Sequence, residues 1–143
     1  MFLGTHTPRL DDKGRIFLPA KFREGFTEGI VLTAGQERCI YVWPSAEFRT
    51  YSAQLRSNPG DTKSARAFNR MVYSSATNEQ ADKQGRVTLP SALRSYAGLE
   101  RDCVVIGADT RVEIWDAQAW ESYRAEHEQA FADWSEEVVG AVT

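Results

Sequence analysis

Two groups of charged residues in this 143-residue chain have a spacing that could bind an anion. Each begins with an aspartate, followed by a glycine and an arginine: Asp11, Gly14 and Arg15 in the first group, Asp82, Gly85 and Arg86 in the second. An arginine side chain is always charged, and its planar fork of N–H donors matches phosphate oxygens or the edge of a guanine. An aspartate four residues earlier can hold that fork in a fixed orientation. The spacing therefore predicts two arginine-presenting turns.

The two turns belong to a longer duplication. Residues 11–23 and 82–94 lie 71 positions apart and share six of thirteen residues, including a Leu-Pro pair and a final arginine. Further basic residues flank both motif arginines, more densely in the first copy. We predict that they contact nucleic acid together with Arg15 and Arg86, with the two motif aspartates and glycines orienting them. These flanking candidates are Arg9, Lys13, Lys21 and Arg23 in the first copy, and Lys83 and Arg94 in the second.

Two other interpretations of the motif are open. The turn could be purely structural, with the aspartate bonding backbone N–H groups and the arginine pairing back to it. Alternatively, Asp11 and Asp82 could form a catalytic carboxylate pair, as in aspartic proteases. The chain, however, has no loop of small residues after either aspartate, no glycine-rich phosphate loop and no metal-ligand spacing. We therefore predict no enzyme activity, catalytic residue, metal, cofactor or small-molecule substrate.

The charge is unevenly distributed along the chain. The net charge is −3, yet residues 1–115 carry 16 basic and 13 acidic residues, whereas residues 116–143 carry one and seven. A local basic surface can attract a polyanion even when the whole chain is acidic. No stretch approaches the roughly eighteen apolar residues of a membrane span, so we expect a cytoplasmic protein without a membrane partner. Cys39 and Cys103 lie in or beside apolar runs and are expected to be buried free thiols.

The duplication also organises the elements around the turns. Each half begins with a lead-in strand, at 4–10 or 76–81, which is followed by the turn and a second strand. A short helix then begins at Pro19 or Pro90. A hairpin ending in a tryptophan follows, Trp43 or Trp115, and then helices. This predicts four segments: two similar β-rich domains at 5–47 and 76–119, a helical connector at 48–75 and an acidic C-terminal helix at 120–143. An aromatic stripe from Trp120 to Trp134 is typical of a core or a subunit interface.

With both motifs assembled, the chain resembles the MraZ family of bacterial regulators from residue 1 to about residue 134. The resemblance implies an α+β, mainly β fold: a duplicated SpoVT/AbrB-like swapped-hairpin barrel with peripheral helices and a pseudo-two-fold axis. It also implies a nucleoid-associated regulator of the division and cell-wall gene cluster, including its own promoter. Such a protein would bind short, G-rich direct repeats in double-stranded DNA and assemble into a homo-oligomeric ring. The family's motif arginines correspond to Arg15 and Arg86, with Lys13 as a helper.

One departure and two rival functions accompany the resemblance. Gln84, not a lysine, stands at the position equivalent to Lys13, so the two motifs need not bind DNA identically. One rival is a scaffold in which the ring is the product and the motifs are only turns. The other is an antitoxin-like protein of the AbrB type, although such proteins carry one motif per chain and a toxin-binding tail.

Overall fold

The computed structural model describes residues 1–57 and 60–134, which form eight strands and five helices. The strands are β1 (Thr5–His6), β2 (Arg15–Phe17), β3 (Ile30–Ala34), β4 (Ile40–Pro44), β5 (Thr77–Glu79), β6 (Arg86–Thr88), β7 (Cys103–Ala108) and β8 (Arg111–Asp116). The helices are a 3-10 helix at Ala20–Phe26, α1 (Ser45–Ser57), α2 (Lys63–Ser75), α3 (Ser91–Ala97) and α4 (Ala117–Asp133). The order of two strands, a short helix, a hairpin and a longer helix repeats once along the chain, as the duplication predicts, with α2 between the two copies.

Local signals set several helix ends. Pro19 and Pro90 each stand one residue before the short helix that they were predicted to begin. Gly98 ends α3 in the left-handed region at φ 64°, where its N–H donates back to the last turn. Thr62 caps α2 as predicted, because its side-chain oxygen accepts a hydrogen bond from the Ala65 N–H at 3.1 Å.

The two halves exchange their lead-in strands. Six strands form one antiparallel sheet in the order β1-β7-β8-β4-β3-β5, so β1 of the first half pairs with the second hairpin. Reciprocally, β5 of the second half pairs with the first hairpin. The hairpins meet at the centre, where β4 pairs with β8. The remaining strands, β2 and β6, form a separate antiparallel two-stranded ribbon that draws one strand from each motif.

The six-stranded sheet separates two apolar cores. On one face, the ribbon, the 3-10 helix and α3 bury a cluster that includes Ile16, Leu18, Val87 and Leu89, all at most 1% exposed. On the other face, α1, α2 and α4 surround a second cluster centred on Trp43 and Trp115. Both clusters contain residues from both halves. Neither half therefore encloses a core of its own.

These features confirm the predicted fold class, α+β with duplicated and swapped β-hairpins. Hydrogen bonding within the described residues leaves the large sheet open at β1 and β5 rather than closed into a barrel. The first lead-in strand is shorter than the predicted 4–10, because Pro8 has no N–H to donate and only Arg9 bridges again, to Asp102. The proposed domain boundaries stay a prediction, and residues 135–143 of the last segment lie outside the described residues.

Two further features concern the state of the cysteines and the possibility of a membrane-spanning helix. Cys39 and Cys103 are both buried with free thiols, as expected. No helix within residues 1–57 and 60–134 is long and apolar enough to cross a membrane.

Candidate nucleic-acid interface

The two Asp-x-x-Gly-Arg segments fold into the same turn. In the first copy, Asp11 Oδ1 accepts from the backbone N–H groups of Lys13 and Arg15, each at 2.9 Å. Its Oδ2 accepts from Arg15 Nε at 2.7 Å. The second copy repeats these three distances around Asp82, with Gln84 in place of the lysine and Arg86 as the arginine. Both glycines take the positive φ that the turn requires, 76° at Gly14 and 83° at Gly85.

Each aspartate is set up as a hydrogen-bond acceptor. The backbone N–H of Arg15 lowers the pKa of Asp11 below its ordinary value, with the Arg15 side chain and the Lys13 N–H adding to the effect. The pKa of Asp82 is lowered in the same way by Arg86 and Gln84. Two catalytic carboxylates that shared a proton would have one raised pKa. The lowered pKa of both groups therefore argues against the carboxylate-pair interpretation.

The ribbon brings both motif arginines onto one surface. Ile16 pairs with Val87 at its centre, and both side chains are buried beneath it. Successive side chains of a strand point to opposite faces, so the residues on either side of this pair face solvent. These outward residues are Arg15 opposite Thr88, and Phe17 opposite Arg86. The two arginines are diagonal neighbours, about 7–8 Å apart at the backbone.

Each aspartate engages only the Nε edge of its arginine. The hydrogen bonds of Arg15 and Arg86 side chains within the described residues all involve Nε. The terminal nitrogens of each fork remain as donors for another group, and the two side chains are 26% and 23% exposed. A fork held by one edge and open at the other suits an anion or a base edge, because binding then orders few additional side-chain rotamers.

The last arginine of each motif copy braces the turn of the other copy. Arg94 donates from Nε to the Leu89 carbonyl at 2.9 Å, and its guanidinium lies against Gly14 of the first turn. Arg23 donates to the Leu18 carbonyl at 3.1 Å and lies against Gly85 of the second turn. A Cβ at either glycine would meet the bracing guanidinium at 2.9 Å or less.

Two backbone hydrogen bonds run parallel to this brace. Leu18 N–H donates to the Gly85 carbonyl at 3.0 Å, and Leu89 N–H donates to the Gly14 carbonyl at 2.8 Å. Arg23 and Arg94, predicted as nucleic-acid contacts, thus have a structural role at the site that the sequence did not reveal. Their contact with nucleic acid stays a prediction.

The other predicted basic residues differ in their relation to the ribbon. Lys13 and Lys83 are exposed within the turns, two residues before Arg15 and three residues before Arg86 respectively. Arg9 lies outside the turn and pairs with Asp102, with Nε 3.2 Å from Oδ1. Lys21 lies on the 3-10 helix, with its ammonium 5.9 Å from the centre of the Phe22 ring. The structure therefore groups two lysines with the arginine pair and holds Arg9 and Lys21 on neighbouring elements.

Two residues of this surface were not among the predicted contacts. Phe17 and Thr88 occupy equivalent positions of the two ribbon strands and both are exposed between the arginines. The alternation in Arg-Ile-Phe and Arg-Val-Thr was the available signal, since a residue two positions after an outward arginine must also point outward.

Comparison with known proteins identifies the family. The model of the MraZ protein family, described as antitoxin-like, matches residues 1–71 and again residues 72–141. The chain belongs to the MraZ family. A relative from Thermobifida fusca is 58% identical over 142 residues, covering 99% of both chains, and is named transcriptional regulator MraZ. A relative with the same name from Salinispora tropica is 62% identical over 139 residues, covering 97% of this chain and 98% of its own.

These matches confirm the resemblance drawn from the paired motifs. The two family matches meet between residues 71 and 72, within α2, so each takes one turn motif and one tryptophan hairpin. Both relatives are named as regulators of transcription, which confirms the prediction of a regulator rather than an enzyme.

Proposed function

We propose that this protein is a sequence-specific DNA-binding regulator of transcription that inserts the β2–β6 ribbon into the major groove. The observation that carries this proposal is the pair of aspartate-held arginines on the solvent face of a two-stranded ribbon. The major groove admits a two-stranded β-ribbon, and arginine forks read the O6 and N7 acceptors of guanine there. The names of the relatives support the same function.

The distribution of charge favours this face over the opposite one. The ribbon packs on one side of the six-stranded sheet, whereas α4 packs on β7 and β8 through the cluster on the other side. The described part of α4 carries one arginine and four acidic residues: Glu121, Glu126, Glu128 and Asp133. An acidic helix near phosphate would repel it. With the ribbon in the groove, this helix lies on the far side of the molecule from the DNA.

The proposed assembly is a homo-oligomeric ring formed through the aromatic face of α4. No residue of this helix is buried, and Phe131 and Trp134 are 71% and 48% exposed. Together with Trp120, Tyr123 and His127 they line a shallow apolar surface. Such a surface marks an interaction site, and repeated head-to-tail contacts must either close into a ring or continue as a filament.

The assembly has its own test. Phe131→Glu introduces a charge into this face and should lower the mass measured by light scattering at micromolar concentration. Gln129→Glu, on the same helix but outside the aromatic face, is the matched control and should keep the wild-type mass. A monomer mass for the wild-type protein would contradict the ring.

We further propose that the target is direct repeats upstream of the protein's own gene, within the division and cell-wall gene cluster. One ribbon covers little DNA, so specific affinity would come from several subunits that engage neighbouring repeats at once. Repeats about 10–10.5 bp apart would present the same face of the duplex to each subunit. The protein would act in the cytoplasm, associated with the nucleoid.

The decisive experiment is a titration of Arg15→Ala and Arg86→Ala against this upstream DNA at two or more salt concentrations. Arg15→Ala should abolish specific binding while fold and assembly persist, because the backbone N–H groups of residues 13 and 15 still donate to Asp11 and hold the turn. Arg86→Ala should weaken binding less, since Gln84 replaces the neighbouring lysine. If phosphate contacts dominate, each variant should flatten the salt dependence by about one unit of slope.

Lys63→Ala, an exposed change on α2, is the charge-matched control and should bind like the wild type. Unchanged binding by a folded Arg15→Ala protein would remove Arg15 from the interface and favour the interpretation of the motif as a purely structural turn. The antitoxin alternative keeps one supporting observation, the antitoxin-like description of the family. Specific binding to the upstream DNA by the isolated protein would argue for the regulator instead.

A further inference from the structure

The outward face of the ribbon carries an aromatic side chain that packing does not explain. Phe17 is 46% exposed, although it lies directly between Arg15 on its own strand and Arg86 on the opposite strand. The equivalent position in the other half is Thr88, which is also exposed. Because the same strand geometry is built with a small hydroxyl residue there, the fold does not require an aromatic ring at this position.

We propose that Phe17 contacts the 5-methyl group of a thymine beside the bases that the arginines reach. This inference rests on the proposed function. In the major groove only thymine presents a methyl group, and apolar side chains including phenylalanine recognise it. The flanking guanidiniums favour a polyanion as the occupant of this face. Residues 15 and 17 are two strand positions apart, about 6.6 Å, which corresponds to about two base-pair steps.

The Phe17–Thr88 difference also gives the ribbon a direction. The pseudo-two-fold axis of the ribbon exchanges Arg15 with Arg86 and would by itself favour a site that reads the same on both strands. Phe17 and Thr88 break that symmetry at the centre of the contact surface, where they lie opposite the arginines. The threonine methyl can also contact thymine, but it reaches less far, so the thymine that only Phe17 reaches fixes the orientation of each subunit on the DNA. The recognised sequence is then not self-complementary.

The test compares thymine with deoxyuracil, which lacks only the methyl group. Fluorescence anisotropy titrations would use the upstream DNA with each thymine of a repeat replaced in turn. For the wild type, one replacement within two base pairs of a guanine should weaken binding about fourfold per repeat, the value of one buried methyl group. Phe17→Ser should bind the thymine and deoxyuracil DNAs equally. Phe17→Leu should keep most of the preference.

Three results would overturn the inference. One is a wild type that is insensitive to every replacement, and another is a Phe17→Ser protein that still prefers thymine. The third is a Phe17→Ser protein that weakens equally on the repeat and on scrambled DNA with a lowered melting temperature, which would make Phe17 a packing residue. Arg15→Ala is measured in parallel and separates the two proposals. If Arg15→Ala loses binding while the wild type shows no preference for thymine, the proposed function stands and only the role of Phe17 is rejected.

Discussion

The cross-bracing of the two turns makes a quantitative prediction for Gly85→Ala. Gly85 has φ 83°, and a Cβ there would lie 2.5 Å from Cζ and from Nε of Arg23. The left-handed conformation costs an alanine about 1–2 kcal/mol. Displacing the exposed Arg23 side chain also breaks its hydrogen bond to the Leu18 carbonyl, a net loss of about 1 kcal/mol. The free energy of unfolding should therefore fall by about 2–3 kcal/mol.

Gly98→Ala is the matched control. Gly98 also has a positive φ, 64°, but a Cβ there would meet nothing within 4 Å. This variant should show only the conformational cost, about 1–2 kcal/mol. Urea unfolding followed by circular dichroism would measure both, and the difference between them isolates the contact with Arg23. In an Arg23→Ala background that contact is already gone, so Gly85→Ala should cost no more than Gly98→Ala does.

A cycle with no coupling between Gly85 and Arg23 would refute the brace. Equal destabilisation by Gly85→Ala and Gly98→Ala in the wild-type background would do the same. The brace also predicts a change in DNA affinity, because it joins a side chain of one half to the turn of the other. Gly85→Ala disturbs the second turn through a side chain of the first half, so DNA affinity should fall in this variant and stay near wild type in Gly98→Ala.

Two further predictions concern titratable groups. The pKa values of Asp11 and Asp82 are lowered on folding, so the stability that they contribute is fully present above the ordinary carboxyl pKa of 3.8 and is lost as the pH falls through the lowered folded values. In urea unfolding, the free energy of unfolding that these groups contribute should stay constant between pH 7 and about pH 5 and fall below about pH 4. The fall should be less steep in Asp11→Asn, which lacks one of the two carboxylates. Burial raises the pKa of the Cys103 thiol to about 11 and that of Cys39 further, so neither should react with iodoacetamide at pH 8 until guanidinium unfolds the chain.

The parts of this structure that the sequence predicted are those set by local chemistry. An aspartate followed by glycine and arginine at fixed offsets determines its own turn, and Thr62 determines the start of α2. The hairpins ending at Trp43 and Trp115 follow in the same way from alternation and turn residues. These features need only neighbours within a few residues, so one sequence is enough to predict them.

The parts that the sequence could not predict depend on contacts across the two halves. Pairing of β1 with the second hairpin rather than the first joins residues about 100 positions apart, and no local signal distinguishes the two choices. The bracing role of Arg23 and Arg94 also depends on contacts between the halves, and their basic character suggested only an anion contact. The stripe on α4 has the period of a buried face, yet only its first part packs on Trp115, whereas Phe131 and Trp134 stay exposed, because periodicity marks an apolar face without identifying what covers it.

The exchange of elements between the halves has a consequence for how the two motifs act. The ribbon needs one strand from each half, each turn is braced by an arginine of the other half, and both cores are shared. We therefore expect a change in one motif to affect the other, and a separated half would have neither a complete ribbon nor an enclosed core. Because both copies lie in one chain, they can nevertheless differ in sequence, as Lys13 and Gln84 or Phe17 and Thr88 do. A duplicated chain can thus keep the rigidity of a symmetric pair while its ribbon has an asymmetric outer surface.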